Sequence, residues 1–180
     1  MNPAANLVLV GPMGAGKTSI GKRLSEHFGL AFVDADRDVE LRTGASVGTI
    51  FDCEGEAGFR ARERAALAEL LAGTGRVVAT GGGAVLDPDS RACMRERGFV
   101  VWLQVGVPVQ LQRLARDRSR PLLQRDDREQ VLRALAAARA PLYAEVADLA
   151  FDTDGLGATE AAGALAALLD ARWQRRPVAA

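Results

Sequence analysis

An apolar run, residues 6–10 (Asn-Leu-Val-Leu-Val), and a stretch over residues 18–28 with Ile20, Leu24 and Phe28 at helical spacing flank the octapeptide Gly-Pro-Met-Gly-Ala-Gly-Lys-Thr, residues 11–18. This is the G-x-x-x-x-G-K-[ST] pattern in its required setting of strand, glycine-rich turn and helix. Glycines let the backbone curl until its N–H groups converge on phosphate oxygens, and the helix N-terminus adds partial positive charge at the same point. Lys17 would reach the β- and γ-phosphates, and the Thr18 hydroxyl would ligate Mg²⁺. The motif therefore calls for a nucleotide phosphate and for the α/β context that holds one. It is silent about what receives the phosphoryl group.

The rest of the chain continues the alternation. Further strands are expected over residues 30–33, 76–80, 99–103 and 149–152. Helices are expected over 57–71, from 109 to 114, over 126–146 and over 159–171, with short helical pieces at 39–41 and 47–51. Short apolar strands between helices predict an open five-stranded parallel sheet covered on both faces, a three-layer α/β fold in one domain of 180 residues. Residues 172–180 read as a frayed tail. In such sheets ligands bind beyond the carboxyl ends of the strands. Special residues follow three strands: the loop 11–18, the pair Asp34 and Asp36, and the triplet Gly81, Gly82 and Gly83. All three should face one crevice.

Composition narrows the partners. Hydrophobic residues make up 48% and mean hydropathy is +0.01, as for a globular rather than a disordered chain. Formal net charge is zero, which argues against nucleic acid or a membrane surface as partner. Cys53 and Cys93 lack metal-ligand spacing and are expected as free thiols. The lone histidine, His27, reads as a surface helix residue. No export signal and no bilayer-length apolar stretch is visible, so a cytoplasmic protein is expected.

Several side chains are candidates for chemistry. Asp34 and Asp36 have period-2 spacing and would point the same way if still extended. They could hold Mg²⁺ or orient a hydroxyl, and one of them could instead cap the next helix. Asp38 belongs in that helix's first turn. The glycine triplet suggests close backbone approach, with a loose turn as the alternative. Thr80 stands where a second acidic metal motif would often be, which leaves the metal to Thr18 and an aspartate of the 34/36 pair. Arg139 sits on the inward stripe of its helix, and Arg60 adjoins Phe59 with Glu63 three residues on. Either arginine could capture a carboxylate or phosphate, or form a structural ion pair. Arg113, Arg116, Arg118 and Arg120 crowd a segment between two helices, and the stretch at about 114–125 reads as a mobile lid or a solvated charged loop.

Taken together, these stretches resemble the shikimate kinases, over nearly all of residues 6–170. The resemblance rests on residues 11–18, 32–36 (Phe-Val-Asp-Ala-Asp), 55–63 (Gly-Glu-Ala-Gly-Phe-Arg-Ala-Arg-Glu) and 80–85 (Thr-Gly-Gly-Gly-Ala-Val). It continues through 120–123 (Arg-Pro-Leu-Leu) and 139–143 (Arg-Ala-Pro-Leu-Tyr). It implies a P-loop kinase fold and ATP-dependent phosphorylation of shikimate, with Mg²⁺ as cofactor; a monomer is the expected working unit. The amides of Gly14, Ala15, Gly16, Lys17, Thr18 and Ser19 would hold the phosphates, with the Lys17 ammonium. Thr18 would bind Mg²⁺ and Asp34 support it. Asp36 would contact the reacting hydroxyl. Arg60 and Arg139 would take the substrate carboxylate beside the Gly82 backbone, within substrate-binding helices at about 36–62 and the later helix. Arg120 would reach the phosphates from the lid, and Arg113 would lie against adenine. Another small-molecule kinase of this fold, such as a gluconate kinase, and a non-catalytic nucleotide-binding regulator are the alternatives.

Overall fold

The computed structural model describes residues 4–115 and 127–174. Along the chain run β1 (Asn6–Val10), α1 (Lys17–Phe28), β2 (Ala31–Asp34), α2 (Ala35–Thr43), α3 (Val47–Ala72) and β3 (Arg76–Ala79). A short 3-10 turn (Ala84–Leu86) leads to α4 (Pro88–Arg97), β4 (Gly98–Gln104), α5 (Val107–Arg113), α6 (Arg128–Val146), β5 (Leu149–Asp152) and α7 (Ala158–Arg172). The strands form one parallel sheet in the order β2-β3-β1-β4-β5. The expected five-stranded sheet with helices on both faces is what forms.

Side-chain alternation along the central strand divides the core. Leu7 and Leu9 face one layer with Leu24 of α1 and Leu165 and Leu169 of α7. Val8 and Val10 face the other with Leu67 and Leu71 of α3, Met94 of α4 and Val146 of α6. Every residue of β1 is buried, which is why this strand shows no polar alternation. A smaller cluster, Val39, Ile50, Phe59 and Ala66, fixes α2 against α3.

The structure bears out one expectation and corrects two. Residues 47–51 and 57–71 are helical as expected: two helical stretches meet across a non-helical kink at Gly55, where φ is 70°, and together carry the label α3. A helix, α4, lies where none was expected. Asp87 caps it by accepting from the Ser90 amide at 2.8 Å and Pro88 opens it, but only Ser90 and Met94 are buried along it, so it carries no apolar stripe. Finally, Asp34 and Asp36 do not share an extended segment. β2 ends at Asp34, and Asp36 lies in the first turn of α2 together with Asp38. No helix among the described residues is long and apolar enough to cross a membrane. The segment at about 114–125, with Arg116, Arg118 and Arg120, lies almost wholly outside the described residues.

Candidate active site

The glycine-rich loop leaves β1 at Gly11, whose φ of 142° and tight seat favour glycine: a Cβ there would stand 2.3 Å from the Leu103 carbonyl oxygen. Helix α5 holds the loop from outside. Gln110, buried, donates from Nε2 to the Met13 carbonyl at 2.9 Å, and Arg113 donates from Nη1 to the Gly14 carbonyl at 3.0 Å. The same guanidinium reaches the Thr153 hydroxyl at 3.0 Å and the Thr153 carbonyl at 2.6 Å. Arg113 thus ties the loop to the turn after β5. The Lys17 ammonium donates to the Gly11 and Pro12 carbonyls at 2.7 and 2.8 Å, folded over the loop it serves.

Asp34 takes the capping role left open for the aspartate pair and also stands beside Thr18. Its Oδ1 accepts from the Arg37 amide at 3.3 Å and caps α2, while its Oδ2 accepts from the Thr18 hydroxyl at 2.8 Å. Two hard oxygen donors therefore stand together at the start of α1. Among the described residues no three or more His, Cys, Asp or Glu side chains gather into a protein metal cage. Mg²⁺ does not need one, since it retains waters and takes one or two protein oxygens plus substrate phosphates. The Thr18–Asp34 pair fits that ion.

The glycine triplet is the floor on which the other groups converge. A Cβ at Gly81 would lie 2.7 Å from Asp36 Oδ1 and 2.6 Å from Glu63 Oε1. One at Gly83 would lie 2.1 Å from Arg60 Nη2. At Gly82 it would lie 3.6 Å from each of Arg139 Nη1, the Gly11 carbonyl and the Met13 amide nitrogen. Gly81 and Gly83 are bare because the Asp36 and Glu63 carboxylates and the Arg60 guanidinium press on them, while Arg139 and the phosphate loop stand at van der Waals distance around Gly82. Asp36, Arg60, Arg139 and the loop thereby border one space, as the strand ends required.

Arg60 lies over the Phe59 ring, 5.3 Å from its centroid, and donates from Nη1 to Glu63 Oε2 at 2.6 Å. Glu63 is 1% exposed. Burial pushes its carboxyl above the usual range, and the Arg60 charge pulls it back, as Arg139 does more weakly. Arg60 Nε and Glu63 Oε1 are buried with no hydrogen-bond partner among the described residues. Polar atoms left so are costly unless a ligand completes them. Opposite, the Tyr143 hydroxyl donates to the Gly82 carbonyl at 2.5 Å. Beyond it a cavity of about 360 Å³ opens between the loop and α6, lined by Met13, Trp102, Leu135, Arg139 and Tyr143 among others.

Sequence reasoning placed Lys17, Thr18, Asp34, Asp36, Arg60, Gly82 and Arg139 here, and all of them meet at this crevice. Arg113 is at its edge, and Arg120 is outside the described residues. The groups missed were Gln110, Tyr143 and Trp102. A signal existed for Tyr143, which stands four residues after Arg139 and so on its helix face. Gln110 had none, because its work is done on a backbone carbonyl.

Known proteins resemble this arrangement throughout. The family model for shikimate kinase matches residues 13–169. A shikimate kinase of Stenotrophomonas maltophilia is 59% identical over 180 residues, all of both chains. One of Xanthomonas campestris is 58% identical over 174 residues, 97% of each. Among solved structures, shikimate kinase from Acinetobacter baumannii in complex with shikimate superposes with a TM-score of 0.90 at 45% identity, covering 94% of this chain and 95% of that one. By sequence, fold and chain coverage, the chain belongs to the shikimate kinase family and is a kinase.

Proposed function

We propose that this crevice transfers the γ-phosphoryl group of ATP to a hydroxyl of shikimate, giving shikimate 3-phosphate and ADP. The observation that carries the reading is the glycine triplet, against which the phosphate loop, Asp36, Arg60 and Arg139 all close. Amides of residues 14–19 bind the phosphates, with Lys17 exchanging its two carbonyl partners for phosphate oxygens. Arg60 and Arg139 grip the planar carboxylate of the acceptor beside Gly82, since a guanidinium fork matches carboxylate geometry. Asp36, in the first turn of α2, aims the acceptor hydroxyl at the phosphorus. As the new O–P bond forms and the bond to the β–γ bridging oxygen breaks, that hydroxyl becomes acidic and its proton passes to Asp36 and then to water. Catalysis is thus positioning plus charge stabilisation. Thr18, with Asp34 in support, would hold Mg²⁺, which would supply charge neutralisation on the phosphates. Arg120 would add a further positive charge, and Arg113 a wall for the base. We take the working unit to be a cytoplasmic monomer.

The test is ADP release measured with shikimate, with gluconate and with no acceptor. Turnover with shikimate alone is expected. Equal rates with gluconate would replace the acceptor assigned here, and equal rates without acceptor would leave only hydrolysis. An amide analogue of shikimate should be a much poorer substrate than the acid, and Arg139→Lys should raise KM for shikimate by about thirtyfold or more while sparing ATP, the loss expected for a charge-assisted contact of ~2–3 kcal/mol.

A further inference from the structure

Glycine triplets are the least self-ordering backbone a chain can contain. Here the Gly81 and Gly83 carbonyls accept from the Ala84 and Leu86 amides at 3.2 and 3.0 Å, and the Gly82 carbonyl between them is held by a side chain from α6. Tyr143 is 2% exposed on that helix, and its ring stacks on Trp102 of β4 with centroids 5.8 Å apart and planes 27° apart. Held that way, the hydroxyl donates to the Gly82 carbonyl at 2.5 Å. In a planar trans peptide the carbonyl and the next N–H point oppositely, so fixing the Gly82 oxygen also fixes the direction of the Gly83 N–H. Burial raises the phenol's pKa, and Arg139, one helical turn earlier, opposes that rise through its charge and hydrogen bonding. Gly82 in turn lies against Arg139 Nη1 and the Met13 amide of the phosphate loop.

We propose that Tyr143 is a positioning residue. Its hydroxyl locks the glycine triplet and the Arg139 guanidinium into one preset cradle, and recognition of the acceptor anion depends on that lock. The inference rests on the carboxylate reading given above. It assigns Tyr143 no contact with substrate and no proton in the reaction. Binding to a preset cradle avoids the entropy of ordering it at the moment of encounter.

Tyr143→Phe keeps the ring on Trp102 and removes only the hydroxyl. It should raise KM for shikimate by about tenfold and leave KM for ATP and kcat within about threefold, a split that general destabilisation does not produce. Combined with Arg139→Lys, the two penalties should fall well short of multiplying, because one acts through the other. If Arg139→Lys raises the shikimate KM and Tyr143→Phe does not, the lock is refuted and the carboxylate reading stands. If neither change raises it, both fall. Penalties that multiply fully would also refute the lock, since Tyr143 would then act apart from Arg139. A measurement on the otherwise unaltered chain covers the case in which the Phe variant fails to fold. Tyr143 is the only tyrosine, so 3-fluorotyrosine gives a single ¹⁹F resonance. That resonance should shift on adding shikimate and stay in place with ADP alone, and an unmoved resonance at saturating shikimate would refute the proposal.

Discussion

Lys17 spends the ligand-free state on the Gly11 and Pro12 carbonyls, contacts that any phosphate oxygen can replace. Lys17→Met should therefore leave the melting temperature close to wild type and lower turnover by about 10²–10³-fold, the scale of one preorganised charge at a phosphoryl group. Circular dichroism and ADP release read the two halves of that expectation. The neighbouring carboxylates should divide differently. Asp34 touches the Thr18 hydroxyl, whereas Asp36 borders the glycine triplet beside Glu63. Asp34→Asn should be largely rescued by raising Mg²⁺, and Asp36→Asn should lose kcat that Mg²⁺ titration does not restore. Residues assigned to the ligand were legible in the sequence because their chemistry is unusual where they stand: an arginine on an apolar stripe, a lysine in a glycine loop. Gln110 and Tyr143, which hold backbone in place, look like any polar or aromatic residue until the fold brings their partners from 97 and 61 positions away.

Elements were read well where burial wrote a pattern and poorly where it did not. β1 with its loop and α1 is unmistakable because a fully buried strand and an amphipathic helix flank it. α4 escaped because one turn of it touches the core, and its cap and proline are its main markers. The pairing of Asp34 with Asp36 by strand spacing failed because β2 stops at Asp34, before the second aspartate can join it. Glycines divide the elements in a testable way. Gly163 lies inside α7, and a methyl added there would meet nothing within 4 Å beyond its own stretch of helix. Gly163→Ala should stabilise the fold by ~1 kcal/mol, since glycine is a poor helix residue. Gly81→Ala would set a methyl 2.6 Å from Glu63 Oε1 and 2.7 Å from Asp36 Oδ1. Thermal melts should rank Gly163→Ala above wild type, and activity assays should find Gly81→Ala deeply impaired.

At the scale of the molecule, a five-stranded parallel sheet with its central strand first in sequence brings every strand end to one rim. That is why residues far apart in the chain could be assigned to one crevice before their contacts were known. The same burial that secures the rim has a cost in alkali. Burial pushes the Tyr143 hydroxyl up to about 12, with Arg139 opposing the rise. A tyrosine in the unfolded chain ionises near ~10, so the unfolded state sheds this proton first and stability falls as pH rises from about 10 through about 12. Below that window the group contributes nothing to the pH dependence. The full loss is on the order of 2–3 kcal/mol. With one tyrosine in the chain, tyrosinate absorbance in the folded and denatured protein reads both ionisations directly, and a folded-state midpoint near the ordinary value would contradict this account. The sheet also separates the two tryptophans. Trp102, paired with Val10 at the carboxyl end, lines the crevice and stacks on Tyr143. Trp173 lies at the other end, its indole N–H donating to the Ala4 carbonyl at 2.9 Å, with Phe28 and Phe99 around it. The protein thus carries two native fluorophores with separate duties. In a Trp173→Phe chain, emission would follow occupancy of the crevice. In a Trp102→Phe chain, it would follow only the opening of the far end of the fold.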